Sequence, residues 1–218
     1  MISNLRVAWS SGALSLLAFF ATPFAANADA TYNVQLDTSS LVAPGAFSLN
    51  FQFGSGSEFD LDNTVTLSNF NFGGGSAMGT ASLSGYALGD LTSGITLQDS
   101  APSATLTEFL QDFTPGSSLS FDISFSENLS LDGNSDLFTF SILDSGVNIW
   151  TASPSGTDAF LELTIGAPAS SLATFASGDG SISAPMATAI PEPSTYGLCL
   201  GVLLGAVVAV RRLRSRCR

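Results

Sequence analysis

The chain has 218 residues and a formal net charge of −12 at pH 7, but its charges are unevenly distributed. All six basic residues are Arg6 or lie at Arg211 and beyond, whereas all 18 acidic residues lie from Asp29 to Glu192. Residues 29–192 therefore have a formal charge of −18, and this excludes charge-driven binding of this segment to nucleic acid or anionic lipid, because no cation is present to displace counterions from phosphate.

The residue types that are missing from the central part limit its chemistry. It contains no His, and both cysteines, Cys199 and Cys217, lie in the C-terminal tail. The central part therefore has no serine triad, Schiff-base lysine, His-containing zinc site or disulfide. A pair of carboxylates, as in glycosidases, is the only remaining general acid and base, and no pair stands out in the sequence. We expect no enzymatic activity.

The first 28 residues have the pattern of a secretory signal peptide. Arg6 lies in a short n-region, residues 13–20 are apolar, and Ala26 and Ala28 form an A-x-A cleavage site. The alternative is an uncleaved N-terminal anchor. In both cases the middle of the chain leaves the cytoplasm.

Residues 29–176 are predicted to form one all-β domain. Apolar and polar residues alternate through most of this region, which is typical of strands with one buried face. The clearer strands are 31–37, 46–53, 64–72, 118–126, 137–143, 147–151 and 159–165, and the weaker ones are 80–86, 94–97 and 172–175.

Two local features are predicted within these strands. In 64–72 the apolar residues change parity at Ser68-Asn69, which indicates a β-bulge or a sharp bend. Asp144-Ser145-Gly146 separates two strands and predicts a hairpin turn.

One short helix is predicted at 104–113. Thr105 and Glu108 fit a capping box, and Thr114-Pro115-Gly116 would end the helix. Its apolar residues recur at i, i+3, i+4 and i+7, and they are Leu106, Phe109, Leu110 and Phe113. A helix this short needs a sheet to pack on, so we expect it to lie across one end of the sheets.

Short antiparallel strands joined by Gly, Ser and Pro predict an antiparallel β-sandwich of jelly-roll type. Most of the 17 phenylalanines fall on strand faces, where we expect them to form the core. Residues 177–189, rich in Ser, Ala and Gly, are predicted to be a linker to the tail.

A calcium ion is the one cofactor that the sequence suggests. Asp132, Asn134 and Asp136 place oxygen ligands at alternate loop positions, as at the start of a calcium loop. Leu137 replaces the expected Gly and Leu143 the expected acid, so this is not an EF-hand. A polar turn between strands is the alternative.

The last 29 residues, 190–218, contain three features in a fixed order. Pro191, Glu192 and Pro193 form a rigid extended tripeptide. Residues 196–210 are apolar or Gly and predict a short transmembrane helix, for which a buried core helix is the alternative. The chain ends in a basic stop, expected to stay cytoplasmic, formed by Arg211, Arg212, Arg214, Arg216 and Arg218. A smooth helix-packing face is predicted from the four-residue spacing of Gly197, Gly201 and Gly205, and a chance recurrence of small residues is the alternative.

This order of Pro-Glu-Pro, hydrophobic helix and arginine-rich terminus resembles the PEP-CTERM sorting signal of exported bacterial proteins. The resemblance implies that Pro191, Glu192 and Pro193 are recognised by exosortase, a membrane enzyme that cuts near the tripeptide and releases or transfers the protein. Within this group, a subgroup of uncharacterised function is similar to the chain in four blocks, ATYNVQLDTSSL, FSLNFQF, LTEFLQDFTPGSSLSFDISFS and LFTFSIL.

These features suggest an exported, surface-sorted, non-enzymatic protein, first an inner-membrane-anchored precursor and then part of the cell surface or the extracellular polysaccharide matrix. The PEP-CTERM family is associated with exopolysaccharide production. A carbohydrate-binding module, with Trp150 and Tyr86 stacking on sugars, is the first alternative, and a permanently anchored protein is the second. The expected partners are exosortase, the export machinery, polysaccharide, and the membrane through 196–210 before processing.

Overall fold

The computed structural model describes residues 30–42, 45–56, 63–98, 106–128, 133–166 and 169–191. The predicted signal peptide, the predicted transmembrane helix and the arginine tail lie outside these ranges. Within them, no helix combines the length and the apolar character that a membrane crossing needs.

The described part of the chain is built almost entirely of β-strands, as predicted. Its helical structure is a single 3₁₀ turn at Ser39–Leu41. The strands are β1 (Ala30–Asp37), β2 (Phe47–Gly54), β3 (Thr64–Asn71), β4 (Ser76–Ala77), β5 (Ser82–Ser84), β6 (Ala87–Asp90), β7 (Gly94–Gln98), β8 (Thr107–Thr114), β9 (Ser118–Phe125), β10 (Asp136–Asp144), β11 (Val147–Asn148), β12 (Leu161–Ile165), β13 (Ser171–Thr174) and β14 (Met186–Ala189).

These strands form two antiparallel sheets. Sheet A has the order β14-β1-β9-β3-β7-β6. Sheet B has the order β13-β12-β10-β2-β8-β4, with β11 paired to β10 and β5 paired to β8. The two sheets pack face to face, so the arrangement is a β-sandwich.

Phenylalanine fills the space between the sheets, and this prediction is confirmed. Phe51 of β2 and Phe140 of β10 both meet Phe121 of β9 edge-on, with ring centroids 5.5 and 5.3 Å apart. Edge-on contacts are favourable because the positive edge of one ring meets the negative face of the other. The largest fully buried side chains in the described residues are all phenylalanines: Phe51, Phe53, Phe109, Phe121, Phe125, Phe138, Phe140 and Phe160.

The two local predictions are also confirmed. The pairing of β3 with β9 shifts register between Ser68 and Asn71, and Asn69 has a positive φ of 56°. This bulge returns Phe70 to the core side, where it packs on Phe121. At the hairpin, Ser145 and Gly146 have φ values of 52° and 82°, as a type I′ turn between β10 and β11 requires.

The predicted helix at 104–113 is wrong, because residues 107–114 form strand β8. The inward side chains of this strand are Thr107, Phe109, Gln111 and Phe113, which alternate. Gln111 hid the alternation, since a polar residue at an inward position breaks a strand pattern. Two leucines completed the helical pattern. Leu110 lies on the other side of the strand, and Leu106 is exposed just before it.

The predicted linker at 177–189 is also wrong, because this segment belongs to the fold. Ile182 is buried in the core, and β14 pairs with β1 along the edge of sheet A. The backbone N–H of Ile190 donates to the carbonyl of Thr31 over 2.8 Å. The folded domain therefore extends to the residue that precedes Pro191.

Candidate functional site

One face of the sandwich has a distinctive set of polar side chains. It is the side of sheet B that faces away from sheet A, and we call it the outer face of sheet B. Its side chains alternate along each strand with the inward phenylalanines and aliphatic residues. They are Ser48, Asn50 and Gln52 of β2, Glu108 and Asp112 of β8, Thr139 and Ser141 of β10, and Glu162 of β12.

The register of the strands aligns these side chains in rows. Thr139 lies opposite Glu162 on one side and Gln52 on the other, and Gln52 lies opposite Glu108. A second row begins with Ser141 opposite Asn50. Because neighbouring strands are about 4.8 Å apart, the first row extends about 14 Å from β12 to β8.

Hydrogen bonds hold the β8 side of this face in place. Glu108 Oε1 accepts from the amides of Asn50 at 2.6 Å and Gln52 at 2.9 Å. Asp112 Oδ1 accepts from the hydroxyl of Ser48 at 2.6 Å. Within the described residues, the second oxygen of each carboxylate makes no hydrogen bond. These bonds fix the two carboxylates, and because a carboxylate oxygen can accept more than one hydrogen bond, the half-buried Glu108 and the exposed Asp112 could also accept from a bound molecule.

Glu162 is held in a similar way on the β12 side. Its Oε1 accepts from the hydroxyls of Ser153 and Thr157, both at 2.6 Å, and also from that of Ser155. Partial burial raises the pKa of Glu162, but the three hydroxyl donors outweigh burial and leave its pKa below the usual value. Glu162 is therefore a charged acceptor at neutral pH.

Trp150 lies at the same flank of sheet B. Its side chain is 65% exposed. A Cβ atom added to Gly178 would overlap Cδ2, Cε3 and Cζ3 of the indole, so one face of the ring covers the Gly178 backbone. The N–H of Gly178 donates to the Trp150 carbonyl over 2.9 Å, and the adjacent Thr151 bridges to Ser177. The ring is thus supported on one side and open on the other.

Asp179, the residue after Gly178, carries a fixed negative charge. Asp179 Oδ1 accepts from the backbone N–H of Ser181 at 2.9 Å and from the hydroxyls of Ser177 and Ser181 at 2.7 and 2.8 Å. The N–H of Ser181, followed by these hydroxyls, lowers the pKa of Asp179 to about 2. The loop that carries Gly178 is therefore ordered by an ionised carboxylate.

The structure does not bring Trp150 and Tyr86 together. Trp150 follows β11 at one flank of sheet B, whereas Tyr86 follows β5 at the other, with β10, β2 and β8 between them. Four strand spacings correspond to about 19 Å. Both rings are exposed, but they cannot stack on one sugar.

The structure gives one of the three calcium candidates a structural role. Asp136 is buried and accepts from the N–H of Gly56 at 2.9 Å and the amide of Asn63 at 2.8 Å, one bond on each oxygen. Asn134 lies in the loop before β10, and Asp132 is outside the described residues. The described part of the chain contains no group of three His, Cys, Asp or Glu residues that could hold a metal ion.

Most of the predicted processing residues lie outside the described ranges. These are Ala26, Ala28, Glu192, Pro193, the three glycines of the helix-packing face and the five terminal arginines. Pro191 is described and follows the last hydrogen bond between β14 and β1. No family model, curated protein or solved structure matches this chain.

Sequence reasoning missed the carboxylates of the outer face and the role of Gly178. The strand pattern around Gln52 already placed polar residues on one face, and Glu162 lies in phase with its own strand. What was lacking was the order of the strands in the sheet, which brings Glu162, Thr139, Gln52 and Glu108 into one row.

Proposed function

We propose that this chain is an exported, surface-sorted, non-enzymatic protein whose C-terminal signal is processed by exosortase. In this proposal the mature protein is a structural or adhesive component of an extracellular polysaccharide matrix. The observation that carries it is the three-part tail that begins at Pro191, directly after the last strand of the fold. A sandwich that ends at Ile190 leaves the tripeptide next to a folded body and ahead of the hydrophobic segment.

The strand order supports a jelly-roll type of sandwich. The long strands β1, β2 and β3 alternate between sheets A, B and A, and β8, β9 and β10 alternate between B, A and B. Chains that cross repeatedly between two packed sheets are typical of this architecture. It is an architecture used by extracellular and capsid proteins, and it fits a role outside the cytoplasm.

The arrangement of the acids supports a non-enzymatic role. Glu108 and Glu162 lie in one row with β2 and β10 between them, so their backbones are about 14 Å apart. Glycosidases hold their two carboxyl groups about 5–9.5 Å apart. The hydroxyl donors around Glu162 also lower its pKa and favour its charged form, which a general acid should not prefer.

Mass spectrometry of the C-terminus tests the processing step. The full-length chain is produced in a bacterium with exosortase and in a matched strain without it, and its C-terminal peptide is identified. We expect the tail to be missing only in the strain with exosortase, and replacement of Glu192 by Ala to retain it. Pro154→Ala, at an exposed proline elsewhere, is the control and should not affect processing. Recovery of intact Arg218 in both strains would instead favour a permanently anchored protein.

A carbohydrate-binding module at the cell surface is the second candidate. It is favoured by the outer face of sheet B, which combines fixed acceptor oxygens with an exposed aromatic ring at its flank. Ligand sites typically combine apolar surface with a few precisely placed polar groups. Co-sedimentation of the full-length protein with insoluble polysaccharides tests this candidate, and failure to sediment with any of them would favour a scaffold.

A further inference from the structure

The support of Trp150 by Gly178 suggests how a sugar polymer would be held. We propose that Trp150 is the platform on which a sugar ring of an uncharged polysaccharide stacks, while the outer face of sheet B accepts hydrogen bonds from its hydroxyls. This inference rests on the carbohydrate-binding candidate and adds that Trp150 acts without Tyr86, that Gly178 supports its ring, and the charge class of the polymer.

The first argument is the geometry of the ring. Trp150 and Gly178 lie opposite each other, since Thr151 pairs with Ser177 in an antiparallel bridge and the Gly178 N–H donates to the Trp150 carbonyl. The indole lies over a residue with no side chain, so its inner face is in contact with backbone. The 65% exposure of Trp150 leaves its outer face open to solvent. An aromatic face is negatively polarised and attracts the positively polarised C–H groups on the face of a sugar ring.

The second argument is the position of Trp150 relative to the polar rows. β11 pairs Asn148 with Leu143, and the N–H of Ile149 donates to the Ile142 carbonyl over 2.9 Å, which continues this pairing by one residue. The next residue, Trp150, therefore lies beside Ser141. Because side chains alternate between faces, Trp150 shares the outer face with Asn148.

The acceptors lie within reach of a polymer that starts at this ring. Glu162 is opposite Thr139, two residues along β10 from Ser141, which corresponds to about 7 Å. Ser141 lies opposite Asn50, whose amide is fixed to Glu108. Ser141 and Asn50 are themselves buried, so the first acceptor that a chain stacked on Trp150 reaches is the half-buried carboxylate of Glu162.

The third argument is charge. The exported part has 18 acids and no base, so an anionic polysaccharide would be repelled and would find no cation to pair with. An uncharged polyol has the complementary groups, because its hydroxyls donate to the fixed carboxylates in strong charge-assisted hydrogen bonds. The charge pattern therefore selects uncharged polymers over anionic ones.

Tryptophan fluorescence can follow binding directly. The sequence contains two tryptophans, so full-length protein carrying Trp9→Phe reports on Trp150 alone. In detergent, it is titrated with two uncharged polymers, dextran and hydroxyethyl cellulose, and with anionic alginate. We expect at least one uncharged polymer to change the emission of Trp150 and alginate to leave it unchanged.

Calorimetry with the same polymers then compares variants. We expect Trp150→Ala to weaken binding roughly 30-fold, as for a central aromatic anchor. Gly178→Ala, which displaces the ring but keeps it, should weaken binding by a smaller factor. Val147→Ala, an exposed apolar residue of the same hairpin, is the control and should bind like the unaltered chain. Because Trp150 is mostly exposed, its replacement should leave the thermal midpoint unchanged.

The outcomes separate this inference from the candidate on which it rests. Binding that survives Trp150→Ala would place the platform elsewhere and overturn the inference, while carbohydrate binding itself would stand. Because the full-length chain also carries six arginines, the alginate result is read from Trp150 emission, and a change as large as that with the uncharged polymers would overturn the charge argument. Absence of binding to every polymer, including those tested by co-sedimentation, would overturn both.

Discussion

Replacing Phe51 by Ala should cost more stability than most single substitutions in this protein. Phe51 is fully buried at the centre of the sandwich. It contacts rings from both sheets, and its centroid lies 5.2–6.1 Å from those of its neighbours Phe70, Phe109, Phe121, Phe138 and Phe140. Since these rings come from four other strands, the surrounding structure cannot easily collapse into the space left by Ala.

The expected loss follows from the cavity. Phe→Ala substitutions in cores cost about 3–5 kcal/mol, and poor collapse places this site near the upper end. For a domain of this size each kcal/mol lowers the thermal midpoint by about 2–4 °C, so we expect a decrease of about 8–20 °C. The loss is comparable to the lower end of the total stability of natural domains, about 5–15 kcal/mol.

Urea unfolding followed by circular dichroism measures this loss. Phe51→Leu keeps most of the apolar volume and should lose much less, about 1–2 kcal/mol. Leu88→Ala, at a residue that is 62% exposed, should change stability by less than about 0.5 kcal/mol. If Phe51→Ala lost no more than the Leu88 variant, with an unchanged denaturant slope, the Phe51 cluster would not be the centre of the core.

Three other predictions concern single positions. Asn69→Val should lose about 1–2 kcal/mol more than Asn69→Gly in urea unfolding, because valine resists the positive φ of the bulge; equal losses would contradict this. Gln111→Leu should lose about 1–3 kcal/mol, because it leaves the buried N–H of Leu91 without its acceptor, while the exposed Gln98→Leu is the control. Asp179→Ala should reduce the thermal midpoint at pH 5–7, and this difference should disappear as the pH falls through about 2. The pKa of Asp179 is lowered from 3.8, so its stabilisation is present above 3.8 and lost on acidification; a difference that grows at low pH would refute this.

The strands that could be predicted are those whose pattern depends only on neighbouring residues. Each long strand except β8 has a clear alternation, and even the bulge at Asn69 was visible as a change of parity. The hairpin at Ser145-Gly146 was predictable for the same reason, since a two-residue turn with positive φ restricts which residues can occupy it. In these segments local chemistry and tertiary structure favour the same conformation.

The two errors have a common physical cause. At β8, the inward Gln111 accepts from the N–H of Leu91 and donates to the carbonyl of Met78, so its burial depends on a loop that is distant in sequence. At β14, four residues of weak strand preference become a strand because β1 offers an unpaired edge. In both segments a distant partner decides the conformation, whereas local spacing predicted a helix in the first and composition predicted a linker in the second.

The candidate site was hidden for the same reason. Glu162 and Glu108 are 54 residues apart in sequence, and only the order β12-β10-β2-β8 makes them ends of one row. Trp150 was predicted to stack on sugars, but its partner Gly178 comes from a segment that was predicted to be a linker. An aromatic ring becomes a rigid platform only when something supports one of its faces. The fold of residues 177–189 onto sheets A and B is therefore what turns a surface tryptophan into a binding element, and Gly178→Ala tests that step without removing the ring.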